Sequence, residues 1–351
     1  MKRNRRAALC AVLMGLLLCG CAGKTASPEQ HTVTLVAKST QTEFWLSVFA
    51  GAEAAATEYN MKLNIIGPET EEDYETQNQM IADAVEAGTE AIVFSAIDYE
   101  NNAAAIDAAA RAGVRIVAID SSVASKLVST YIGTDNYAAG QMAAQAVLDR
   151  VEGELKVGLI NYDVSSANGQ EREHGAVETF GRSDRAEIVA VVNTLAEAEQ
   201  ARLDTAALLE RFPEINVLLA FNEPTSVGAA EAVEELGLSE DVFLVGFDSN
   251  VATIDGLQEG SVDALVVQNP YAMGYLGVES AYRLVTGQSD NMEATVDTST
   301  QTVDRENLFT MDSQKALFAF ELRKGASILH SFYGAFFCIL IKTNKFLPLF
   351  R

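Results

Sequence analysis

The sequence predicts an α/β protein made of two similar, doubly wound parallel-sheet domains. Apolar runs typical of buried strands recur at spacings of about 29, 29 and 24 residues, and then of about 30, 30 and 26 residues. They begin near Val33, Lys62, Ala91, Arg115, Val157, Glu187, Val217 and Phe243. Ala-rich helical patterns, such as Phe44 to Tyr59, Tyr74 to Ala87 and Glu197 to Arg211, lie between them. Since the two halves are offset by about 125 residues, we expect two matching domains with a cleft between them.

Residues 1–20 have the pattern of a bacterial signal peptide, and residues 21–30 that of a short polar tether. Four basic residues precede an apolar run from Ala7 to Leu18, which is too short to span a bilayer. Small residues stand before Cys21, an arrangement that resembles the lipobox of bacterial lipoproteins, whose cysteine is acylated and becomes the mature N-terminus. We therefore expect lipidation at Cys21 and an extracytoplasmic protein anchored to the bacterial cell membrane, with ordinary secretory cleavage as the alternative.

The remaining body is strongly acidic. From Ala22 to Glu321 it carries 16 Lys and Arg against all 49 Asp and Glu, a net charge near −33. Such a surface repels phosphate backbones and no basic stripe interrupts it, so we expect no nucleic-acid partner. Of the four cysteines only Cys338 would remain as a free thiol after processing, so the core rather than disulfides must hold the fold.

Charged or amide side chains follow the apolar runs where these stop. Lys38 and Asp120 follow the first and fourth runs, and Asn222 and Asp248 follow the last two runs of the second half. Ligands of open α/β sheets bind beyond the carboxyl ends of the strands, so these residues are candidates for a polar pocket. The alternative is that some of them cap the next helix, a position that Asp and Asn favour.

Two aromatic residues, Phe44 and Trp45, open the first helix beside the end of the first strand. Aromatic rings at such a place can cover the apolar face of a sugar while its hydroxyls point to polar groups. On periodicity alone, packing in the core is the alternative.

The stretch from Val242 to Gly274 carries the most specific motifs. Its first strand ends in G-F-D at Asp248, and its second is followed by Q-N-P-Y-A-M-G from Gln268. Asn-Pro neither continues a strand nor opens a helix smoothly, so we expect the chain to leave one domain there. This pattern resembles the ribose- and galactose-type periplasmic sugar-binding proteins, whose ligand-binding fold is shared with the lactose-repressor family.

The resemblance implies roles for individual residues. Phe44 and Trp45 lie in K-S-T-Q-T-E-F-W, which matches the segment whose paired aromatics flank the sugar. Asp120 matches an aspartate that accepts hydrogen bonds from sugar hydroxyls, and Arg172, in R-E-H-G, matches an arginine that donates to hydroxyls or the ring oxygen. Such charged groups suit hydroxyls, which both donate and accept. The remaining polar contacts are matched by Asn222, Asp248 and Gln268.

Three positions depart from the pattern of the ribose binders. Ser121 stands where an arginine is typical, Ala196 where an aromatic residue is typical, and Lys38 where a small polar residue is usual. Because the general contacts are kept and the specific ones differ, we expect a monosaccharide or polyol, with ribose itself disfavoured. An acidic or phosphorylated sugar that pairs with Lys38 is a weaker hypothesis.

The resemblance also implies a type I periplasmic binding protein fold with a three-crossing hinge near Thr134, Gln268 and Asp297. We expect the first lobe to comprise residues 31–134 and 269–297, and the second lobe residues 135–268 and 298–321. The segment Y-I-G-T-D-N-Y-A-A-G from Tyr131 resembles the first crossing, with Asp135 as a helix cap. A ligand that contacts both lobes would stabilise their closed arrangement.

We therefore expect the monomeric substrate-binding lipoprotein of an ABC importer, which delivers its sugar to a membrane permease. No cofactor, metal or catalytic residue is expected, because His31, His174 and His330 are not placed with a nucleophile or at metal-ligand spacing. A sensor lipoprotein that signals to a chemoreceptor or histidine kinase is the alternative. A glycoside-processing enzyme using Asp120 and Asp248 is a remote one.

The tail from Leu322 to Arg351 differs from the body, since it has no acidic residue, five Lys and Arg, and five Phe. Its apolar segment from Ser327 to Ile341 is too short and too interrupted for a membrane span. We expect an appended irregular segment or a translated frame error, with a functional amphipathic contact as the alternative.

Overall fold

The computed structural model describes residues 30–162 and 164–318. The predicted signal peptide, the lipidation site Cys21 and the atypical tail from Leu322 to Arg351 lie outside the described residues. Within residues 30–162 and 164–318, none of the helices has the length and hydrophobicity of a membrane span.

The first lobe is built on a six-stranded sheet whose neighbouring strands are all parallel. Its strands are β1 (Thr32–Val36), β2 (Lys62–Ile66), β3 (Ala91–Phe94), β4 (Arg115–Ile119), β5 (Thr130–Gly133) and β11 (Thr295–Asp297). Their spatial order is β11-β5-β4-β3-β1-β2. The helices of this lobe are α1 (Glu43–Glu58), α2 (Tyr74–Glu86), α3 (Ala103–Arg111) and α9 (Pro270–Val285).

The second lobe repeats this plan with one strand reversed. Its strands are β6 (Leu155–Asn161), β7 (Ala186–Asn193), β8 (Val217–Ala220), β9 (Phe243–Phe247), β10 (Ala264–Val267) and β12 (Gln301–Asp304). Their order is β12-β10-β9-β8-β6-β7, and among the strands of the described residues only β12 runs antiparallel to its neighbour. The helices are α4 (Asn136–Arg150), α5 (Ala167–Phe180), α6 (Ala198–Arg211), α7 (Glu223–Glu235), α8 (Val251–Glu259) and α10 (Met311–Leu317).

Both faces of each sheet are covered by helices, which explains why the strands are continuous apolar runs. In β1, Leu35 packs into one hydrophobic cluster and its neighbour Val36 into another on the opposite face. In β9, Leu244 and Val245 divide between two clusters in the same way. The predicted fold class, two doubly wound α/β domains, is therefore confirmed.

Three short segments carry the chain between the lobes, and they are hydrogen-bonded to one another. They follow β5, β10 and β11. The Thr134 hydroxyl donates to Gln268 Oε1 at 2.8 Å, and the Thr298 backbone N–H donates to the Gly133 carbonyl at 2.7 Å. The crossings therefore lie side by side, so a small change in their backbone angles can move one lobe against the other.

The stretch from Ala294 to Val303 contains two short strands, β11 and β12. β11 pairs with β5 in the first lobe, whereas β12 pairs with β10 in the second lobe. The interruption between them arises because each short strand completes the edge of a different sheet.

Candidate ligand-binding site

All eight predicted ligand-binding residues line one cavity between the lobes. Its free volume is about 20 Å³, which is room for a water molecule. A sugar must therefore displace side chains or part the lobes slightly when it enters. The eight residues are Lys38, Phe44, Trp45, Asp120, Arg172, Asn222, Asp248 and Gln268.

A larger groove of about 730 Å³ lies beside this cavity and shares only Phe44, Asp248 and Gln268 with it. Its lining is mostly apolar and includes the exposed side chains of Leu46 and Val251. Because polar side chains converge in the small cavity and not in the groove, we take the cavity as the candidate site.

Two aspartates occupy matching places at the ends of β4 and β9. Asp120 and Asp248 both have left-handed backbone conformations, with φ of 57° and 67°. Neither caps a helix, since the cap of α8 is Asn250. Both residues line the cavity, and non-glycine residues in this backbone region cluster at functional sites.

Burial of these two aspartates opposes their ionisation, whereas neighbouring donors and cations favour it. Asp120 accepts hydrogen bonds from the Ser95 hydroxyl at 2.8 Å and from Asn168 Nδ2 of the other lobe at 3.2 Å. Burial raises the pKa of Asp120, while Lys38 and Arg172 act in the opposite direction. Burial likewise raises the pKa of Asp248 to about 7, although Arg172 and the hydrogen bond from Gln268 lower it. Each carboxyl group would ionise more readily beside hydrogen-bond donors supplied by a ligand.

Arg172 is the central cation of the site and is only 1% exposed. Its Nε donates to Asn136 Oδ1 at 2.9 Å, and its Nη1 donates to the Phe221 carbonyl at 2.5 Å. The guanidinium also lies over the ring of Phe247, 4.6 Å from its centroid. Among the described residues, Nη2 has no hydrogen-bond acceptor. A buried donor of this kind is costly, and a ligand oxygen would satisfy it.

Two glycines hold the backbone of Arg172 in place. A Cβ atom on Gly140 of α4 would lie 2.0 Å from the Arg172 carbonyl oxygen, and one on Gly175 of α5 would lie 2.1 Å from the Tyr137 carbonyl oxygen. Both distances are far inside van der Waals contact, so only glycine permits α4 and α5 to approach this closely.

Lys38 is paired inside the cavity with a residue that sequence reasoning did not select. Its ammonium lies 3.3 Å from Glu71 Oε2, and Trp45 Nε1 donates to Glu71 Oε1 at 2.8 Å. The ammonium also lies 5.1 Å from the centroid of the Tyr162 ring in the other lobe. Glu71 thus balances the charge of Lys38 and orients the indole of Trp45.

The two aromatic residues serve the core and the cavity together. Phe44 and Trp45 are both buried and belong to the core of the first lobe. Their rings meet edge to face, with centroids 5.3 Å apart, and both also line the cavity. The two interpretations weighed for them from the sequence are therefore compatible.

Asn222 and Gln268 are engaged in the local structure as well. Asn222 is the N-cap of α7, where its side chain accepts from Thr225 N, so it is both a cap and a cavity residue. Gln268 accepts from Thr134 and donates to Asp248 at 2.6 Å, which joins a crossing segment to the site. Asp135 caps α4 as expected.

A family model described as a periplasmic binding protein domain matches residues 33–289. The chain belongs to this family. The resemblance found in its motifs is thereby confirmed.

Curated relatives of this periplasmic binding protein are named as sugar-binding proteins. The chain is 26% identical over 275 residues to the D-ribose/D-allose-binding protein of Pseudomonas aeruginosa, which covers 76% of the chain and 86% of the relative. It is 25% identical over 266 residues to a ribose import binding protein of Bacillus subtilis, covering 75% and 85%. These relatives are named as binding proteins, which supports the expectation that the chain is not an enzyme.

Solved structures of similar proteins superpose over most of this periplasmic binding protein. A carbohydrate transporter solute binding protein from Agrobacterium radiobacter, in complex with D-arabinose, is 28% identical with a TM-score of 0.79, covering 83% of the chain and 100% of that structure. A glucose-galactose binding protein from Geobacillus stearothermophilus is 27% identical with a TM-score of 0.76, covering 80% and 99%.

Six further residues line the cavity of this periplasmic binding protein. Tyr162 follows β6, so the strand-end rule that selected Asp120 could also have selected it. Asn168 is the second residue of α5, as Phe44 is of α1, so the internal repeat pointed to it. The carboxylates of Glu71 and Glu223 carry no sequence signal that separates them from the many other acidic residues of this chain. The six are Thr42, Glu71, Tyr162, Asn168, Glu223 and Pro224.

Proposed function

We propose that this chain is the substrate-binding lipoprotein of an ABC importer, which reversibly binds a neutral monosaccharide or polyol in the interlobe cavity and delivers it to a membrane permease. The observation that carries the proposal is the convergence of eight polar and aromatic residues from both lobes on one buried cavity. The sugar-binding names of its relatives and the D-arabinose in one similar structure support it.

The chemistry of the cavity suits hydroxyl groups. Asp120 and Asp248 would accept from hydroxyls, and Arg172 Nη2 would donate to a hydroxyl or ring oxygen. Phe44 and Trp45 would cover the apolar face of the sugar. Hydroxyls of one ring would thus satisfy groups from both lobes and favour their closure.

Charge favours a neutral ligand over an acidic or phosphorylated one. Lys38 lies within 3.3 Å of Glu71, so its charge is already balanced inside the protein. Four carboxyl groups line the cavity against two cations, and an anionic sugar beside them would oppose their ionisation. They are Glu71, Asp120, Asp248 and Glu223, facing Lys38 and Arg172.

The proposal extends to the parts that lie outside the described residues and to the division into lobes. Residues 1–20 would be removed, and the lipidated Cys21 would anchor a monomer to the outer face of the bacterial cell membrane. The first lobe would comprise residues 31–134 and 269–297, and the second lobe residues 135–268 and 298–321.

Isothermal titration of the purified protein with pentoses, hexoses, inositol and sugar phosphates tests the proposal. We expect a neutral sugar or polyol to bind with micromolar or tighter affinity, and sugar phosphates not to bind. Asp248→Ala should weaken this binding by about tenfold or more, whereas Asp149→Asn, on the exposed side of α4, should leave it intact. Heat of binding from sugar phosphates alone, or none from any sugar, would refute the proposal.

Uptake of the bound sugar in membranes that contain the cognate permease then separates import from sensing. We expect uptake to depend on this protein. A sugar-bound protein that drives no uptake but stimulates a chemoreceptor or histidine kinase would replace import with the sensor alternative.

A further inference from the structure

The carboxylate of Glu223 connects the two lobes without any ligand. Glu223 is the first residue of α7 in the second lobe and is 7% exposed. It accepts from the backbone N–H of Phe44 at 2.8 Å and of Glu43 at 3.3 Å, which are the first two residues of α1 in the first lobe. Asn250 Nδ2 of the second lobe donates to the same carboxylate at 3.0 Å.

These contacts complete the N-terminal cap of α1 across the cleft. The N-cap of α1 is Thr42, whose side chain accepts from Trp45 N. The N–H groups of Glu43 and Phe44 lack helical partners, as at every helix start, and they receive theirs from Glu223. A carboxylate at the positive end of a helix is stabilised by the helix dipole, and more strongly where it is buried.

The same contacts place an aromatic ring of the site. Phe44 donates through its backbone to Glu223 while its ring lines the cavity. Separating the lobes would return the N–H groups of α1 to water and release this ring. Thr42, Phe44 and Trp45 would then be held by the first lobe alone.

We propose that Glu223 is a positioning residue which holds the lobes closed and seats the ring of Phe44, so that closure does not depend on the sugar alone. The role in sugar binding rests on the proposed function. The role in closure does not depend on it. Other hydrogen bonds cross the cleft, such as Ala196 N to Glu72 at 2.8 Å, yet that carboxylate is partly exposed and receives only one backbone N–H there.

Small-angle X-ray scattering in the absence of sugar tests closure directly. We expect Glu223→Ala and Glu223→Gln to increase the radius of gyration, because the closed arrangement loses its cap on α1. Glu231→Gln, an exposed position on the same helix, should leave the radius unchanged, and Glu72→Gln should change it less. Thermal melting shows that each variant is folded. Equal radii for the wild type and both folded Glu223 variants would overturn the proposal, whether or not any sugar binds.

Stopped-flow kinetics with the sugar identified by titration tests the effect of Glu223 on sugar binding. Because Glu223 meets α1 only when the lobes are together, its loss should accelerate sugar dissociation by on the order of tenfold to a hundredfold, as for hydrogen bonds to a buried charge. The association rate should rise rather than fall, because a sugar must part the lobes to enter the cavity and the variants open more readily. A slower association with unchanged dissociation would overturn the positioning role. If the wild type binds no sugar, the proposed function fails and the scattering result decides the closure role by itself.

Discussion

The two lobes share one backbone plan but present different chemistry to the cavity. After its fourth strand each lobe places an aspartate in a left-handed conformation, Asp120 in the first lobe and Asp248 in the second. At the second residue of the helix that follows its first strand, however, the first lobe has the ring of Phe44 and the second lobe has the amide of Asn168. The repeat therefore fixes where side chains enter the cavity, and the side chains decide which face of a ligand each lobe contacts.

The helix pair α1 and α9 of the first lobe and the pair α4 and α5 of the second lobe also share a backbone plan but differ in chemistry. Gly51 of α1 and Gly175 of α5 both occupy the ninth position of their helices, and a Cβ atom on either would lie about 2 Å from a carbonyl oxygen of the partner helix. Gly274 of α9 and Gly140 of α4 correspond in the same way. In the first lobe Gly274 faces the carbonyl of Val48, whereas in the second lobe Gly140 faces the carbonyl of Arg172. Close packing of α4 and α5 therefore also positions the guanidinium of Arg172.

Arg172→Ala removes the buried guanidinium of the second lobe and should have the largest effect on sugar binding. It leaves Asp248 buried without its main cation, so we expect a loss of about 3 to 5 kcal/mol in sugar binding. Titration calorimetry measures this loss, and Arg182→Ala, an exposed arginine just beyond α5, is the control. If Trp45→Ala weakened binding more than Arg172→Ala, the rings of the first lobe rather than the charge of the second would dominate recognition.

Asp248→Asn should alter the pH dependence of stability by a few kcal/mol. Because the folded pKa of Asp248 is raised to about 7, this carboxyl keeps its proton after its unfolded counterpart has lost it. The free energy of unfolding should therefore fall as pH rises between about 4 and 7, and the variant should lose that part of the fall. Urea unfolding without sugar at several pH values measures it. Asp120→Asn should act in the same direction, since the pKa of Asp120 is also raised. Parallel pH profiles for the wild type and Asp248→Asn would contradict the raised pKa of Asp248.

Gly140→Ala and Gly274→Ala compare the two helix pairs. Each added methyl group would lie about 2 Å from a carbonyl oxygen, so both variants should lose about 1 to 3 kcal/mol of stability. Gly140→Ala should also weaken sugar binding more than Gly274→Ala does, because it displaces Arg172. Chemical unfolding and titration together separate the two effects. Equal losses of affinity would show that helix packing, and not the position of Arg172, controls the site.

Trp45→Phe should have the smallest effect. It keeps a ring in the first lobe but removes the indole N–H that donates to Glu71. Because Glu71 remains paired with Lys38, we expect a loss of affinity of about fivefold, typical of one hydrogen bond. Titration of this variant beside Trp45→Ala distinguishes the hydrogen bond from the ring. No difference between the two substitutions would mean that the ring of Trp45 contributes little to binding.

The sequence was sufficient to predict the fold and eight of the fourteen residues that line the cavity. Spacing of apolar runs predicts the two sheets, and a polar residue at a strand end has few places to point other than the cleft, as Asp120 and Asp248 illustrate. The carboxylates of Glu71 and Glu223 could not be predicted, because their roles depend on how a loop and a helix start meet groups distant in sequence. The division of residues 294–303 into two strands could not be predicted either, since strand propensity does not specify which sheet a strand joins.

The order in which the chain builds the first lobe has a consequence for its biosynthesis. Helix α9 and strand β11 complete this lobe, yet they come after the whole second sheet except β12. Until residue 285 has left the ribosome, Val48 and Ala52 of α1 lack the helix that covers them. Contacts between such distant segments slow folding. A nascent chain that cannot finish its first half early would stay unfolded for longer, and an unfolded chain is the form that a secretion channel can thread.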